Sequence, residues 1–167
     1  LVYPSSTSVY GENSKLVVET SIVNPQSPYA ESKIIEENLV LENALKPIVL
    51  RLGTIAGPSI GMRFHTAVNS FVWKSIIGQP VTIWTTAFDQ KRPYLCLTDA
   101  LAAFEHSISS SIERGQIYNV LTENSTPREI CQIIRELCGE FEIEFVDSKI
   151  MNQLTYEVSA QKFQSTG

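Results

Sequence analysis

Apolar residues fall along this chain in two alternating rhythms. Residues 1–9 read as strand, opening on the apolar Leu1-Val2-Tyr3; Ile48-Val49-Leu50-Arg51-Leu52 is a short apolar run suited to a strand buried on both faces, and Val81-Thr82-Ile83-Trp84 and Ile117-Tyr118-Asn119-Val120 read as further short strands. Between them lie longer stretches with helical spacing. From Pro28 to about Leu45, Ile34, Ile35, Leu39, Leu41 and Leu45 make an apolar side, with Glu31, Glu36, Glu37 and Glu42 spread over the rest. Phe64, Val68, Phe71, Val72 and Ile76 repeat in the same way over 64–77, as do Leu101, Phe104 and Ile108 after Thr98. Strand alternating with helix implies an α/β fold around a parallel sheet.

Turn chemistry sharpens these boundaries. Asn24-Pro25 and Ser27-Pro28 disfavour helix before the second proline, and Ser27 is placed to cap the helix that starts there. Pro47 closes that helix. Thr126-Pro127-Arg128-Glu129 is a capping box with proline at the first helical position, predicting a helix to Gly139 with Cys131 and Cys138 on one face. Thr98 is expected to cap its helix, with Asp99 in the first turn. Gly53 to Pro58 and 85–91 read as loops, and Glu142-Ile143-Glu144-Phe145-Val146 as a half-exposed strand. Signals weaken beyond Ser148. Arg51 is out of place in an apolar strand and needs either a partner or a position at the strand end.

Composition narrows the function classes. With 167 residues, 43% hydrophobic and 19% charged, the chain is globular and forms one α/β unit over 1–167. A net charge of −5 without any basic run argues against nucleic-acid and anionic-membrane partners. No apolar run reaches the roughly 18–20 residues of a membrane span, and there is no signal-peptide pattern at residue 1, so the expected location is cytoplasmic. Cys96, Cys131 and Cys138 lack paired spacing, which predicts neither a disulfide framework nor a metal site. A complete dinucleotide-binding sheet would open with a strand and a glycine-rich turn. The eight glycines are scattered instead, so the sequence reads as the C-terminal portion of a longer protein, inactive when isolated.

The candidate chemistry lies near the start. Tyr29 and Lys33 are four apart and share one helix face, and a nearby ammonium favours the phenolate that an acid/base tyrosine needs. Ser6, upstream, is placed to hydrogen-bond the oxygen on which Tyr29 acts. Four motifs in order, Ser5-Ser6-Thr7-Ser8-Val9-Tyr10-Gly11, Ser27-Pro28-Tyr29-Ala30-Glu31-Ser32-Lys33, Arg51-Leu52-Gly53-Thr54-Ile55-Ala56-Gly57-Pro58 and Arg92-Pro93-Tyr94-Leu95-Cys96-Leu97-Thr98-Asp99, resemble the extended short-chain dehydrogenase/reductases, specifically the NAD-dependent nucleotide-sugar epimerase/dehydratase group. The resemblance covers the chain to about residue 120.

That resemblance implies an incomplete Rossmann-like parallel sheet intertwined with a smaller substrate-binding portion. It implies Ser6, Tyr29 and Lys33 as catalytic residues, and Tyr29, Lys33, Leu52 and Gly53 around a nicotinamide cofactor, NAD or NADP. Ser6, Thr7, Ser8, Thr54, Arg63, His65, Trp84 and Arg92 would bind a nucleotide sugar, with no metal. Thr54 stands where many members carry an asparagine, and Pro93 replaces the usual acidic neighbour of Arg92. Thr7 and Ser8 replace the acidic pair of dehydratases, which favours epimerase or reductase chemistry. The helix from Pro28 would pair with a second copy in a homodimer. Plainer readings stay open: Tyr29 and Trp84 as packed aromatics, His65 as structural, Arg92 as surface. So do a reductase of a small carbonyl and a non-catalytic nucleotide-binding module.

Overall fold

A computed structural model describes residues 1–147 and 155–167. Its centre is a parallel sheet of three strands in the order β1 (Val2–Ser6), β2 (Ile48–Leu52), β6 (Gln116–Val120), with Ser6, Leu52 and Val120 in register at the carboxyl end. Every residue of β2 is buried, as a parallel strand covered on both faces requires. Residues 7–9, expected as strand, belong instead to one 3-10 turn, Thr7–Tyr10, capped by Ser6. The change of direction puts Ser6, Thr7 and Ser8 together at the carboxyl end of the sheet.

Helix α1 (Pro28–Asn43) starts as the sequence implies, with Ser27 Oγ accepting the Ala30 N–H. Its packing differs from the expected apolar stripe. The residues it buries are Ala30 and Glu37, while Ile35 and Leu39 are 61% and 55% exposed and Leu45, beyond the helix, is 92% exposed. Glu37 is drawn inward by Arg51. The guanidinium donates from Nε and Nη2 to the two carboxylate oxygens at 2.9 and 2.7 Å, and Ser5 Oγ donates to the same carboxylate. Arg51 Nη1 also donates to the Tyr10 hydroxyl at 3.0 Å, which itself donates to Asn119 Oδ1 at 2.7 Å. One buried network thus joins α1 to β1, β2 and β6.

After β2 the chain crosses into a second layer. Gly53 lies at the crossing, where an added Cβ would meet the Pro93 carbonyl oxygen at 3.0 Å and could enter only if that backbone gave way by a few tenths of an ångström, so the close approach favours glycine. The expected loop at 53–58 contains β3 (Thr54–Ala56), which pairs in parallel with β5 (Arg92–Cys96). β5 also pairs antiparallel with β7 (Glu123–Ser125). A two-stranded parallel sheet joins β4 (Val81–Trp84) to β8 (Ile143–Val146). Helix α2 (Ala67–Ile76) begins three residues later than its pattern suggests, leaving Phe64 outside and Ile76 exposed, and within the 85–91 loop Thr85–Ala87 forms a 3-10 turn. Phe71 of α2 packs with Ile130, Cys131 and Ile134 of α4 (Pro127–Cys138). Cys131 is buried and Cys138 exposed, so the two do not share a packed face.

Helix α3 (Leu97–Ser109) corrects two further expectations. Cys96, not Thr98, is its N-cap; Thr122 caps from a distance, accepting the Cys96 N–H at 2.8 Å and donating to Asp99. The helix packs through Ala100, Ala103 and Ser107, leaving Leu101 and Ile108 outside, because small residues let it approach the sheet closely. A short helix, α5 (Gln161–Gln164), lies against β6, with Lys162 Nζ donating to the Ile117 carbonyl at 2.8 Å. No helix among the described residues is long and apolar enough to cross a membrane.

These contacts can be tested through stability. Glu37→Ala leaves a buried guanidinium without its carboxylate and is expected to cost about 3–5 kcal/mol in urea unfolding, whereas Glu37→Leu with Arg51→Met removes both charges and costs less. The Glu129 carboxylate is held below its ordinary range, chiefly by the Thr126 backbone N–H and also by the Ser125 and Thr126 hydroxyls. A lowered folded-state value contributes stability that is fully present above the unfolded value of ~4.3 and lost as pH falls through the folded one. Acid unfolding of Glu129→Gln should lack that part of the pH dependence, and an identical acid limb counts against the assignment.

Candidate active site

A cleft of about 670 Å³ opens at the carboxyl ends of β1 and β2. The 3-10 turn brings Ser6, Thr7 and Ser8 to it, the crossing strand brings Leu52, Gly53 and Thr54, the first turns of α1 bring Tyr29 and Lys33, and Arg63 faces it from the segment before α2. Residues from four separate stretches converge there. Ser6 Oγ accepts the Ser8 N–H at 3.2 Å, which fixes its oxygen and leaves its proton available to an oxygen in the cleft. Thr7 is buried and donates to the Leu52 carbonyl at 3.3 Å.

Tyr29 is 56% exposed, in the first turn of a helix that starts at a proline, so its phenol projects from the protein body into the open side of the cleft. Lys33 lies one turn on, its ammonium 5.9 Å from the centroid of the Tyr29 ring. That ammonium has three protons and three acceptors: Glu36 Oε2 at 2.8 Å, the Tyr3 hydroxyl at 3.1 Å and the Pro4 carbonyl at 3.4 Å. The Tyr3 hydroxyl in turn donates to Glu36. Burial by itself works against the charged lysine, but the bonds to Glu36 and Tyr3 outweigh it and hold Lys33 above the ordinary lysine value. Burial and the Glu36 carboxylate both push the Tyr3 phenol up. The cation therefore stays charged at any working pH.

His65, Trp84 and Arg92 are not in this cleft. They line a second cavity of about 310 Å³ with Ser70, Phe71, Thr82 and Tyr94, built between α2, β4 and β5. Trp84 is 45% exposed on its rim. The substrate residues expected from the sequence are thus divided, one group at the sheet edge and one in the smaller layer. The Arg63 carbonyl accepts from Thr66 Oγ1 and Asn69 Nδ2, which line the first cleft with it.

Four residues at the first cleft were not legible in the sequence. Tyr3 and Glu36 hold Lys33, but a strand tyrosine and a helix glutamate carry no motif signal. Asn69 accepts the Gly57 N–H at 3.0 Å and ties the cleft loop to α2. Tyr156 reaches the cleft from beyond residue 148, where periodicity fails. Among the described residues no group of three or more His, Cys, Asp or Glu side chains is placed to hold a metal ion.

Comparison with known proteins meets this geometry. A curated relative, an uncharacterized UDP-glucose epimerase, YtcB, from Bacillus subtilis strain 168, is 25% identical over 145 residues, covering 83% of this chain and 44% of that protein. The structure of UDP-glucose 4-epimerase from Thermus thermophilus in complex with NAD superposes with a TM-score of 0.83 at 27% identity, over 98% of this chain and 56% of that one. UDP-glucuronic acid 4-epimerase from Bacillus cereus, in complex with UDP-glucuronic acid and NAD, gives 0.87 at 22% identity over 99% and 54%, a likeness of fold alone. The chain spans about half the length of the relatives it matches. The family described as "NAD dependent epimerase/dehydratase family" matches residues 1–120, most of the chain, and this protein, with its parallel sheet and its cleft at the strand ends, belongs to that family.

Proposed function

We propose that the full-length protein is an NAD-dependent oxidoreductase or epimerase of a nucleotide sugar, working through Ser6, Tyr29 and Lys33. The observation that carries this reading is their convergence: a serine with a free proton, an exposed phenol and a permanently charged ammonium face one cleft at the strand ends, where open α/β sheets bind ligands. The nucleotide-sugar relatives and the second cavity, with its arginine and exposed tryptophan, favour this substrate class over a small carbonyl compound. A planar guanidinium such as Arg92 suits a diphosphate, and Trp84 suits a base.

The donor set fits the nicotinamide end of the cofactor. Tyr29, Lys33, Leu52 and Gly53 border the same cleft, and the Pro4 contact, the longest of the three to Lys33, is the one the ammonium can exchange for a ribose hydroxyl. NAD, when bound, supplies the hydride acceptor. Tyr29 takes the proton from a sugar hydroxyl as that carbon becomes a carbonyl, and returns it when the carbonyl is reduced. Ser6 donates to the reacting oxygen and holds it toward Tyr29. Lys33 orients both ribose and phenol. Thr7 and Ser8 offer hydroxyls where an elimination of water would need an acid and a base, which supports epimerase or reductase chemistry over dehydration.

The same reading includes a homodimer through α1. Ile35 and Leu39 are exposed on the helix that carries Tyr29 and Lys33, so a second copy packed there would brace the site. Leu41 is half-buried and therefore a poorer probe than Leu39.

Two measurements test these proposals on the full-length protein. Tyr29→Phe removes one hydroxyl and should lower turnover of the nucleotide sugar ~100-fold or more while NAD binding persists; turnover within a few-fold of the parent excludes Tyr29 as the acid/base. Leu39→Lys would bury an unpaired charge in the helix contact and should shift the sedimentation coefficient from dimer toward monomer. A dimer that survives the substitution lies elsewhere on the surface.

A further inference from the structure

Glu36 belongs to no motif, yet it governs where the charge of Lys33 is spent. The three protons of the ammonium meet Glu36 Oε2, the Tyr3 hydroxyl and the Pro4 carbonyl, and none of them goes to Tyr29. Because the Tyr3 hydroxyl gives its own proton to the same carboxylate, Lys33, Tyr3 and Glu36 close a ring of hydrogen bonds between α1 and β1. The ammonium accordingly sits nearer the Tyr3 ring, 5.2 Å from its centroid, than the Tyr29 ring at 5.9 Å.

The ion pair does little for the helix itself. Lys33 precedes Glu36, the less favourable order for a pair within one helix, and the carboxylate is half-exposed, where water screens it. Its effect falls on the site instead. The hydrogen bond from Lys33, and then that from Tyr3, hold the Glu36 carboxylate below its ordinary range, so it is charged wherever a phenol can act as acid and base. A negative charge 2.8 Å from the ammonium opposes the field that the ammonium exerts on a phenol one helical turn away. Other ionisable groups surround the cluster: the exposed Glu31 on the same helix, Glu37 bound by Arg51, Tyr10 of the 3-10 turn bonded to Arg51 and Asn119, and Arg63 and Tyr156 on the cleft wall. None of these bonds to the Glu36 carboxylate, so a substitution there changes one charge and leaves the rest in place.

We infer that Glu36 is a positioning residue of the proposed reaction: with Tyr3 it draws the Lys33 ammonium toward β1 and opposes its charge, and so sets the pH range over which Tyr29 works. This rests on the function proposed above. Lys33 supplies the cation that an acid/base tyrosine needs, and Glu36 moderates that cation. The moderation keeps the phenol protonated, and able to return its proton, over a wider pH range than an unopposed lysine would allow.

The test uses the full-length protein loaded with NAD. Glu36→Gln removes the charge and keeps an oxygen that can accept from Lys33, so the ascending limb of the kcat/KM profile for UDP-glucose or UDP-glucuronic acid should move to lower pH by about half a unit, the size expected for one charge removed near a protein surface. Glu36→Asp keeps the charge and should bring the limb back toward that of the parent. The ultraviolet absorbance of tyrosinate, with the signal of Tyr29→Phe subtracted, reads the phenol directly and needs no turnover; its midpoint should move in the same direction. An unmoved midpoint in Glu36→Gln overturns the inference, even if the thermal midpoint falls, since that leaves Glu36 a structural role only. A shift to higher pH also overturns it, because Glu36 would then be needed to keep Lys33 beside the phenol. A parent that turns over neither UDP-sugar overturns the proposed reaction, and the absorbance titration still decides whether Glu36 governs Tyr29.

Discussion

An arginine and a glutamate, 4% and 3% exposed, hold this structure in its working arrangement. Burying two charges is costly, and the cost is offset only when geometry and further hydrogen bonds are good. Here the contact is bidentate, Ser5 adds a donor to the carboxylate, and Tyr10 and Asn119 extend the network from the other side. Such a pair is directional in a way an apolar contact is not. Because Glu37 is one turn beyond Lys33 on α1 and Arg51 is next to the end of β2, the ion pair sets the helix against the strand ends. Ser5, which donates to Glu37, is followed by Ser6, which faces the cleft, so the same contact registers the serine against the tyrosine and lysine.

The cleft sits where the chain leaves the central sheet. Gly53 allows β2 to pass directly into β3 beneath β5, and this close crossing brings the second layer within reach of the strand ends. One cavity then forms at the sheet edge, with Arg63 and Tyr156 on its wall, and another within the smaller layer.

Lys33 shows how much of a site lies outside its motif. Tyr29 and Lys33 are recognisable by spacing, because four residues make one helical turn. The partners that occupy the ammonium are a strand tyrosine 30 residues earlier and a glutamate three residues later, neither distinguishable in a sequence from ordinary surface residues. The helix stripe misled for a related reason. Ile35 and Leu39 look like core positions, but the inward position belongs to Glu37, since a buried arginine attracts a carboxylate more strongly than an apolar side chain would be drawn to the same place. In α3 likewise, close approach to the sheet selects Ala100 and Ala103 over Leu101.

Local chemistry was sufficient for the elements whose cause is local. The buried run of β2, the proline-started α1, the capping box of α4 and the four motifs that mark the family are all decided within a few residues of sequence, by burial, φ restriction and side-chain capping. Tertiary structure alone decided the features whose cause is a distant neighbour. β3 exists because β5 offers it a ladder, α3 is capped by Thr122 rather than by Thr98, and Arg51 is tolerated because Glu37 reaches it. Tyr156 enters the cleft because Asn13, Val17 and Asn124 hold its segment there. Hydrogen bonds between residues far apart in sequence leave no periodicity, so these positions became visible only when the chain was folded.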